Sequence, residues 1–426
     1  MTPTELASRF FIAVAVILLF CKLVSWLLGK VGQPPVVSEM LAGVLLGPSL
    51  LGLLLPDVQD ALFPAPLLPV LYVVGQIGLV LFMFQAGYAF TSHRVTNLVG
   101  TAGAVSLAGV LAPLLLGVLL VLGTAGFVPI RAEGTSLGVS AAFVGVALAI
   151  TAFPMLARII TERGHSGTRH GSLALASGAI DDMVAWIMLA VVLAFASGEA
   201  GPAVVTAGGA VLFGLLLLAG GRRTTTLVMR LPGEQSRLLG TVALLFLVAW
   251  YTDEIGLYAV FGAFAIGVVM PRAERTDRVV DTLTPVATTV LVPLFFTFSG
   301  LRTEFALLGD PAVLGFTAAC VTVAIVGKFG ACWAAARLRG EPQPVALRVG
   351  ALMNARGLMQ LIALNIGLEA GIVNSSLFTV LVVVALVTTL MTTPMLSWID
   401  RRHYTPTAAD GKPGAPIIEE TSFTSQ

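Results

Sequence analysis

The sequence predicts an all-α polytopic membrane protein with about thirteen transmembrane helices. Of its 426 residues, 57% are hydrophobic and only 11% are charged, whereas about 25% of the residues of a soluble domain are charged. The apolar residues form continuous runs of bilayer-spanning length and do not alternate with polar residues, as they would in a membrane β-barrel. Most of the charged residues lie in the short segments between these runs. Together these observations favour a helical bundle in the membrane.

Each run is long enough for one span, although the eighth and ninth are short. The first run lacks a small-residue cleavage site, so we interpret it as a retained span and not as a signal peptide. The runs cover residues 9–29, 35–55, 67–90, 97–123, 136–159, 171–197, 202–220, 237–252, 256–271, 283–300, 311–336, 344–368 and 374–398.

Basic residues accumulate in alternate loops, which orients the chain by the positive-inside rule. The opposite loops carry only Arg9, Arg131 and Arg302. We therefore expect a multi-pass protein of the cell membrane with its N-terminus outside and its C-terminus in the cytoplasm. The basic residues on the predicted cytoplasmic side are Lys30, Arg94, Arg158, Arg163, Arg169, Arg222, Arg223, Arg230, Arg237, Arg272, Arg275, Arg278, Arg337, Arg339, Arg348, Arg401, Arg402 and Lys412.

Thirteen spans divide into six, one and six, and an odd separation inverts the second group relative to the first. We expect one transmembrane domain over 1–398, with repeat one at about 9–197, a linker helix at about 202–220 and repeat two at about 237–398. The polar segment 399–426 is too short to fold alone, so it is predicted to be a disordered cytoplasmic tail.

Corresponding spans of the two repeats are both expected to be broken. Span 5 contains the sequence TAFP at 151–154, where Pro154 removes a backbone donor. Span 12 contains NARG at 354–357, where Gly357 permits unwinding and Asn354 and Arg356 are polar. Unwound backbone at this depth is tolerated only where it lines a cavity or packs in protein. The alternatives are an ordinary proline kink in span 5 and an isolated buried arginine in span 12.

Asp181 and Asp182 lie side by side in the middle of span 6. Each costs about 2.5–3.5 kcal/mol to insert, so the pair requires a reason. A carboxylate can bind either a proton or a metal cation, and a choice between the two is the chemistry of proton-coupled cation transport. The structural alternative is a hydrogen-bonded pair between helices, which a single asparagine would supply at lower cost.

Two cationic residues also lie deep in the apolar runs, Lys328 in span 11 and Arg356 in span 12. Neighbouring helical residues point about 100° apart, so the two aspartates face different surroundings. We assign Asp181 to Lys328, and Asp182 to a cavity where it binds a transient monovalent cation. Arg356 is expected to neutralise carbonyl ends at the break in span 12 or to pair with Glu39.

Several stretches together make this chain similar to the monovalent cation:proton antiporter-2 family. The sequence TAFPMLAR, the aspartate pair and the sequence NARGLMQLIALNIG carry most of the resemblance. Gln360 departs from it, because many of these exchangers have glutamate there. The matching stretches are 37–52, 78–87, 149–160, 178–186, 260–272, 293–304 and 353–368.

The resemblance implies two inverted repeats arranged as a core domain and a dimerisation domain, a homodimer, and an elevator-like movement of the core. It implies that Asp182 is the ion- and proton-binding carboxylate and that Asp181 is the partner of Lys328. Thr151, in the first broken segment, completes the candidate ion-binding set. It also implies broken helices at 151–154 and 354–357.

The predicted function is therefore secondary active exchange of a monovalent cation, Na⁺ or K⁺, for H⁺, and not an enzymatic activity. No cofactor or nucleic-acid partner is expected, and Cys21, Cys320 and Cys332 lie in apolar runs without metal-ligand spacing. The alternatives are a sodium-coupled solute carrier of related fold and a cation channel. An intramembrane aspartyl protease would need its two aspartates on separate helices.

Overall fold

The computed structural model describes residues 2–33, 35–90, 98–165, 167–197 and 200–402. Apolar runs without interior charges favour helices, because only a helix satisfies every backbone group within one membrane segment. The described chain is accordingly built from helices. Its extended pairing is limited, within these ranges, to one isolated bridge between Arg131 and Val373.

Nine helices make up the first part of the chain, and two of them, α3 and α4, are short. They are α1 (Pro3–Gly29), α2 (Pro35–Leu46), α3 (Leu51–Leu54), α4 (Pro56–Leu62), α5 (Leu68–Phe90), α6 (Val99–Thr124), α7 (Leu137–Ala149), α8 (Phe153–Glu162) and α9 (Arg169–Ser197).

Eleven helices follow, and three π-helical turns interrupt the longer of them. The π-helical turns are Leu217–Gly221, Ala287–Leu291 and Val326–Gly330. The helices are α10 (Ala200–Leu216), α11 (Arg222–Met229), α12 (Glu234–Glu254), α13 (Ala259–Val269), α14 (Glu274–Val286), α15 (Val292–Leu301), α16 (Pro311–Ile325), α17 (Ala331–Leu338), α18 (Gln343–Met353), α19 (Leu358–Glu369) and α20 (Ser375–Arg402).

The protein is a multi-pass membrane protein. Over the described ranges, nine helical segments are long and apolar enough to cross a bilayer, and three shorter helices are also apolar. Each of the thirteen predicted runs coincides with one helix or with consecutive helices, while the number of crossings stays a prediction. One boundary was wrong: α20 continues to Arg402, so residues 399–402 belong to a helix and not to a tail. The remainder of the predicted tail, 403–426, lies outside the described residues.

Equivalent packing pairs recur in the two predicted repeats. Helix α1 packs on α2 as α12 packs on α13, and α6 packs on α9 as α16 packs on α20. Between the repeats, α2 packs on α15 and α5 packs on α13. This recurrence is the pattern expected of a duplicated unit, and the inverted orientation of the two repeats stays a prediction.

Glycines allow helices from different parts of the chain to cross at very short range. A Cβ atom on Gly300 of α15 would overlap the backbone of Gly43 in α2, and one on Gly43 would overlap the carbonyl of Phe296. Likewise, a Cβ on Gly267 of α13 would overlap the backbone of α5 near Gly87. Such small-residue contacts drive helix association in lipid, where burial of apolar surface supplies little.

Gly300→Ala should therefore lower the stability of the purified protein by about 1–3 kcal/mol, the usual cost of overpacking. The matched control is Gly315→Ala in α16, where a Cβ would meet no atom within 4 Å. The control should leave stability unchanged or raise it by less than about 1 kcal/mol, because alanine favours helix. Thermal unfolding in detergent compares the two, and equal melting temperatures would contradict the close crossing.

Candidate ion-binding site

Two interrupted helices meet in the interior of the bundle. Helix α7 ends at Ala149 and α8 begins at Phe153, while α18 ends at Met353 and α19 begins at Leu358. The two unwound segments touch, because the N–H of Ala152 donates to the carbonyl of Ala355 at 3.4 Å. The sequence predicted both interruptions. Each one exposes polar backbone groups that a continuous helix would have satisfied, so these groups need partners inside the protein.

The first interruption lies slightly earlier than predicted. Unwound residues are 150–152 and not 151–154, because Pro154 is already the second residue of α8. Proline is tolerated in the first helical turn, where its missing N–H would have no helical partner in any case. The proline thus starts the second half-helix and does not form part of the gap itself.

The Asp181 carboxylate is fully buried and held by three donors. Lys328 Nζ lies 2.6 Å from its Oδ2 and Thr151 Oγ1 lies 2.7 Å from the same oxygen. The other oxygen, Oδ1, accepts a hydrogen bond from Ser106 Oγ on α6. A carboxylate buried in this way needs a cation and hydrogen-bond donors around it, and Asp181 has both.

Lys328 joins this carboxylate to the end of α7. It lies in the π-helical turn Val326–Gly330, and its Nζ also donates to the carbonyl of Ala149 at 2.6 Å. A Cβ on Gly109 of α6 would overlap Cys332 Sγ at 2.5 Å and would lie 3.7 Å from the Lys328 side chain, which is an ordinary contact. Glycine at this position therefore leaves room for Cys332 of α17, beside the buried lysine.

Arg356 lies in the second break, between α18 and α19, and its side chain also contacts the end of α7. Its Nη1 donates to the carbonyl of Ala147 at 3.0 Å, and its Nη2 donates to the carbonyl of Leu148. We expected this arginine to neutralise carbonyl ends at the break in span 12 or to pair with Glu39, whereas its guanidinium donates to carbonyls of span 5. The last carbonyls of a helix carry partial negative charge, so two buried cations here compensate the C-terminal end of α7.

Asp182 has very different surroundings, although it is next in sequence and only 2% exposed. Within the described ranges, neither of its oxygens has a hydrogen-bond partner of standard geometry. The backbone N–H of Phe153, at the start of α8, faces the carboxylate. The N-terminal end of a helix favours negative charge, so this position suits a carboxylate that remains available to another ligand.

Other buried polar groups close to the breaks are also incompletely satisfied. Both polar atoms of the Asn354 side chain lack hydrogen-bond partners in the described structure, and the residue is fully buried. Gln360 donates from Nε2 to the carbonyl of Leu381 at 3.1 Å, while its Oε1 has no partner there. Amide oxygens are hard ligands, so they could contribute to a path for a monovalent cation.

Sequence reasoning missed Ser106. It is one hydroxyl in the apolar run of α6, far along the chain from the aspartates. The available signal was a hydroxyl within an apolar run, and this does not by itself point to Asp181.

The sodium/hydrogen exchanger transmembrane family model matches residues 15–399. The chain belongs to this family. Its members are transporters and not enzymes. The structure is also similar to that of the sodium proton antiporter MjNhaP1 from Methanocaldococcus jannaschii, with a TM-score of 0.66 and 13% identity, over 92% of this chain and 97% of that one. At this identity the likeness concerns the fold alone.

Antiporters from other organisms are also similar to this chain. The Na⁺/H⁺ antiporter NhaS4 of Synechocystis is 33% identical over 90% of this chain and 95% of its own length. The K⁺/H⁺ antiporter 1 of Saccharomyces cerevisiae is 29% identical over 91% of this chain. The chain spans about half the length of the yeast and plant relatives that it matches.

Removal of the lysine should test the buried ion pair. Lys328→Ala should destabilise the protein by about 3–5 kcal/mol, because it leaves Asp181 buried without a cation. Adding Asp181→Asn should restore part of the melting temperature, since the neutral amide needs no counter-charge. Lys22→Ala, at an exposed lysine of α1, is the control and should change little. A double variant that melts no higher than Lys328→Ala would show that Asp181 does not need this lysine.

Proposed function

We propose that this protein exchanges a monovalent cation, Na⁺ or K⁺, for H⁺, and that the two compete for Asp182. The observation that carries the proposal is the contrast between the two aspartates. Asp181 is held by a lysine and two hydroxyls, whereas the oxygens of Asp182 are not engaged by any side chain in the described structure. The names of the relatives support the same exchange.

The charges around the breaks explain why proton and cation would exclude each other. Asp181, Asp182, Lys328 and Arg356 are all buried, and their charges sum to zero when both aspartates are ionised. One proton or one monovalent cation on Asp182 then leaves the same net charge of +1 in a region of low dielectric. A second positive charge would be strongly disfavoured there. Binding of either ion thus displaces the other.

We also propose that the site is exposed to the two sides of the membrane in turn, by alternating access. The site lies where two broken helices touch, which is the arrangement that membrane transporters use to expose one site to either side. We propose an N-terminus outside, a cytoplasmic C-terminus and a homodimer in which a core domain moves against a dimerisation domain. The alternating basic loops support the orientation. The family resemblance supports the dimer.

Asp182→Asn should abolish exchange while the protein stays folded. The amide keeps the shape of the side chain but has no titratable charge. It can therefore neither release a proton nor bind a cation in its place. The measurement is dissipation of a preset pH gradient in proteoliposomes on addition of Na⁺ or K⁺, which should fall to the level of protein-free liposomes. Asp57→Asn, an exposed carboxylate in α4, should exchange at the wild-type rate.

Two results would count against this proposal. Normal exchange by a folded Asp182→Asn protein would show that another group carries the proton. Absence of exchange by the wild-type protein with Na⁺, K⁺ and Li⁺ in turn would contradict the exchange activity itself.

A further inference from the structure

Two neighbouring threonines on α20 use their hydroxyls in different ways. Thr388 Oγ1 lies 2.7 Å from the carbonyl of Val384, one turn earlier in the same helix. Thr389 Oγ1 lies 2.6 Å from the carbonyl of Ala385, one turn earlier in α20, and 2.6 Å from the carbonyl of Arg356. It also accepts a hydrogen bond from the N–H of Arg356 at 3.3 Å. Both threonines are buried. Only Thr389, of these two, contacts the second break.

The contact falls on a residue whose backbone has left the helix. Arg356 lies between α18 and α19 and is fully buried, so its N–H and C=O have no helical partners. A buried backbone group without a partner is costly. The Thr389 hydroxyl accepts from the N–H of Arg356, and its single hydrogen is shared between the carbonyls of Arg356 and Ala385. The Arg356 main chain is therefore pinned to α20.

Pinning the main chain also aims the side chain. Arg356 reaches the carbonyls of Ala147 and Leu148 at the end of α7. Three residues after Leu148 lies Thr151, whose hydroxyl donates to Asp181. A shift of the Arg356 backbone would thus change the end of α7 and the surroundings of the aspartate pair.

We propose that Thr389 is a positioning residue for ion binding: it fixes the broken segment of span 12 so that Arg356 holds the end of α7. The effect on transport rests on the exchange function proposed above. The effect on the backbone of the break does not, so the two can be tested separately.

Three variants separate the hydroxyl from the shape of the side chain. Thr389→Val is nearly isosteric but cannot hydrogen-bond, Thr389→Ser keeps the hydroxyl, and Thr388→Val removes the neighbouring hydroxyl that bonds only within α20. Hydrogen–deuterium exchange, read by mass spectrometry on a peptide covering 353–358, reports the break directly. Thr389→Val should speed exchange there about fivefold, the ratio expected for loss of one neutral hydrogen bond. The other two variants should match the wild type.

The second readout is the KM for the cation in proteoliposomes. Thr389→Val should raise KM about fivefold with a smaller change in the maximum rate, while Thr389→Ser and Thr388→Val stay close to wild type. A purely structural role would lower the amount of active protein and leave KM unchanged.

Each outcome has a distinct meaning. Unchanged deuterium exchange in Thr389→Val, or equal acceleration in Thr388→Val, would overturn the proposal. Faster deuterium exchange with an unchanged KM would overturn its transport part. A wild-type protein that exchanges no cation would contradict the proposed function, and the deuterium exchange of the break would still decide whether Thr389 holds Arg356.

Discussion

Backbone that leaves a helix in the middle of a membrane must find its polar partners inside the protein, because lipid supplies none. Here the exposed carbonyls at the end of α7 accept hydrogen bonds from two cations, Lys328 in a π-helical turn and Arg356 in the second break. Each cation is itself costly to bury. The requirement for cations at this point therefore brings a second requirement, for compensating negative charge nearby.

The aspartate pair meets that second requirement unequally. Asp181 pairs with Lys328 and is completed by Ser106 and Thr151. Asp182 is left beside the N-terminal end of α8 with its oxygens unengaged by side chains in the described structure. One carboxylate thus maintains the electrostatic balance of the broken helices. We propose that the other, Asp182, binds the mobile ion.

Local sequence was enough to predict the elements and the deep charged residues. Continuous apolar runs predicted the helices, and TAFP and NARG predicted the interruptions to within two residues. Helical geometry predicted that neighbouring aspartates would face different partners. These features depend on residues close together in the chain.

Partner choice across the bundle was harder to predict. Arg356 crosses to α7, which lies more than 200 positions earlier in the chain. The π-helical turn that places Lys328 has no clear sequence signal, because its glycines occur throughout such runs. The first break lies before Pro154 because α8 already starts at Phe153, and tertiary packing decides this start. Contacts of this kind follow from the assembled helices and not from any one of them.

In the proposed exchange, a cation displaces a proton from Asp182. Calorimetric titration of the purified protein with Na⁺ or K⁺, in buffers of different ionisation enthalpy, measures the protons released for each cation bound. Competition at one carboxylate predicts a release that approaches about one proton per cation at pH values where Asp182 is protonated and falls to zero where it is ionised. Cation binding without proton release at any pH would contradict this competition.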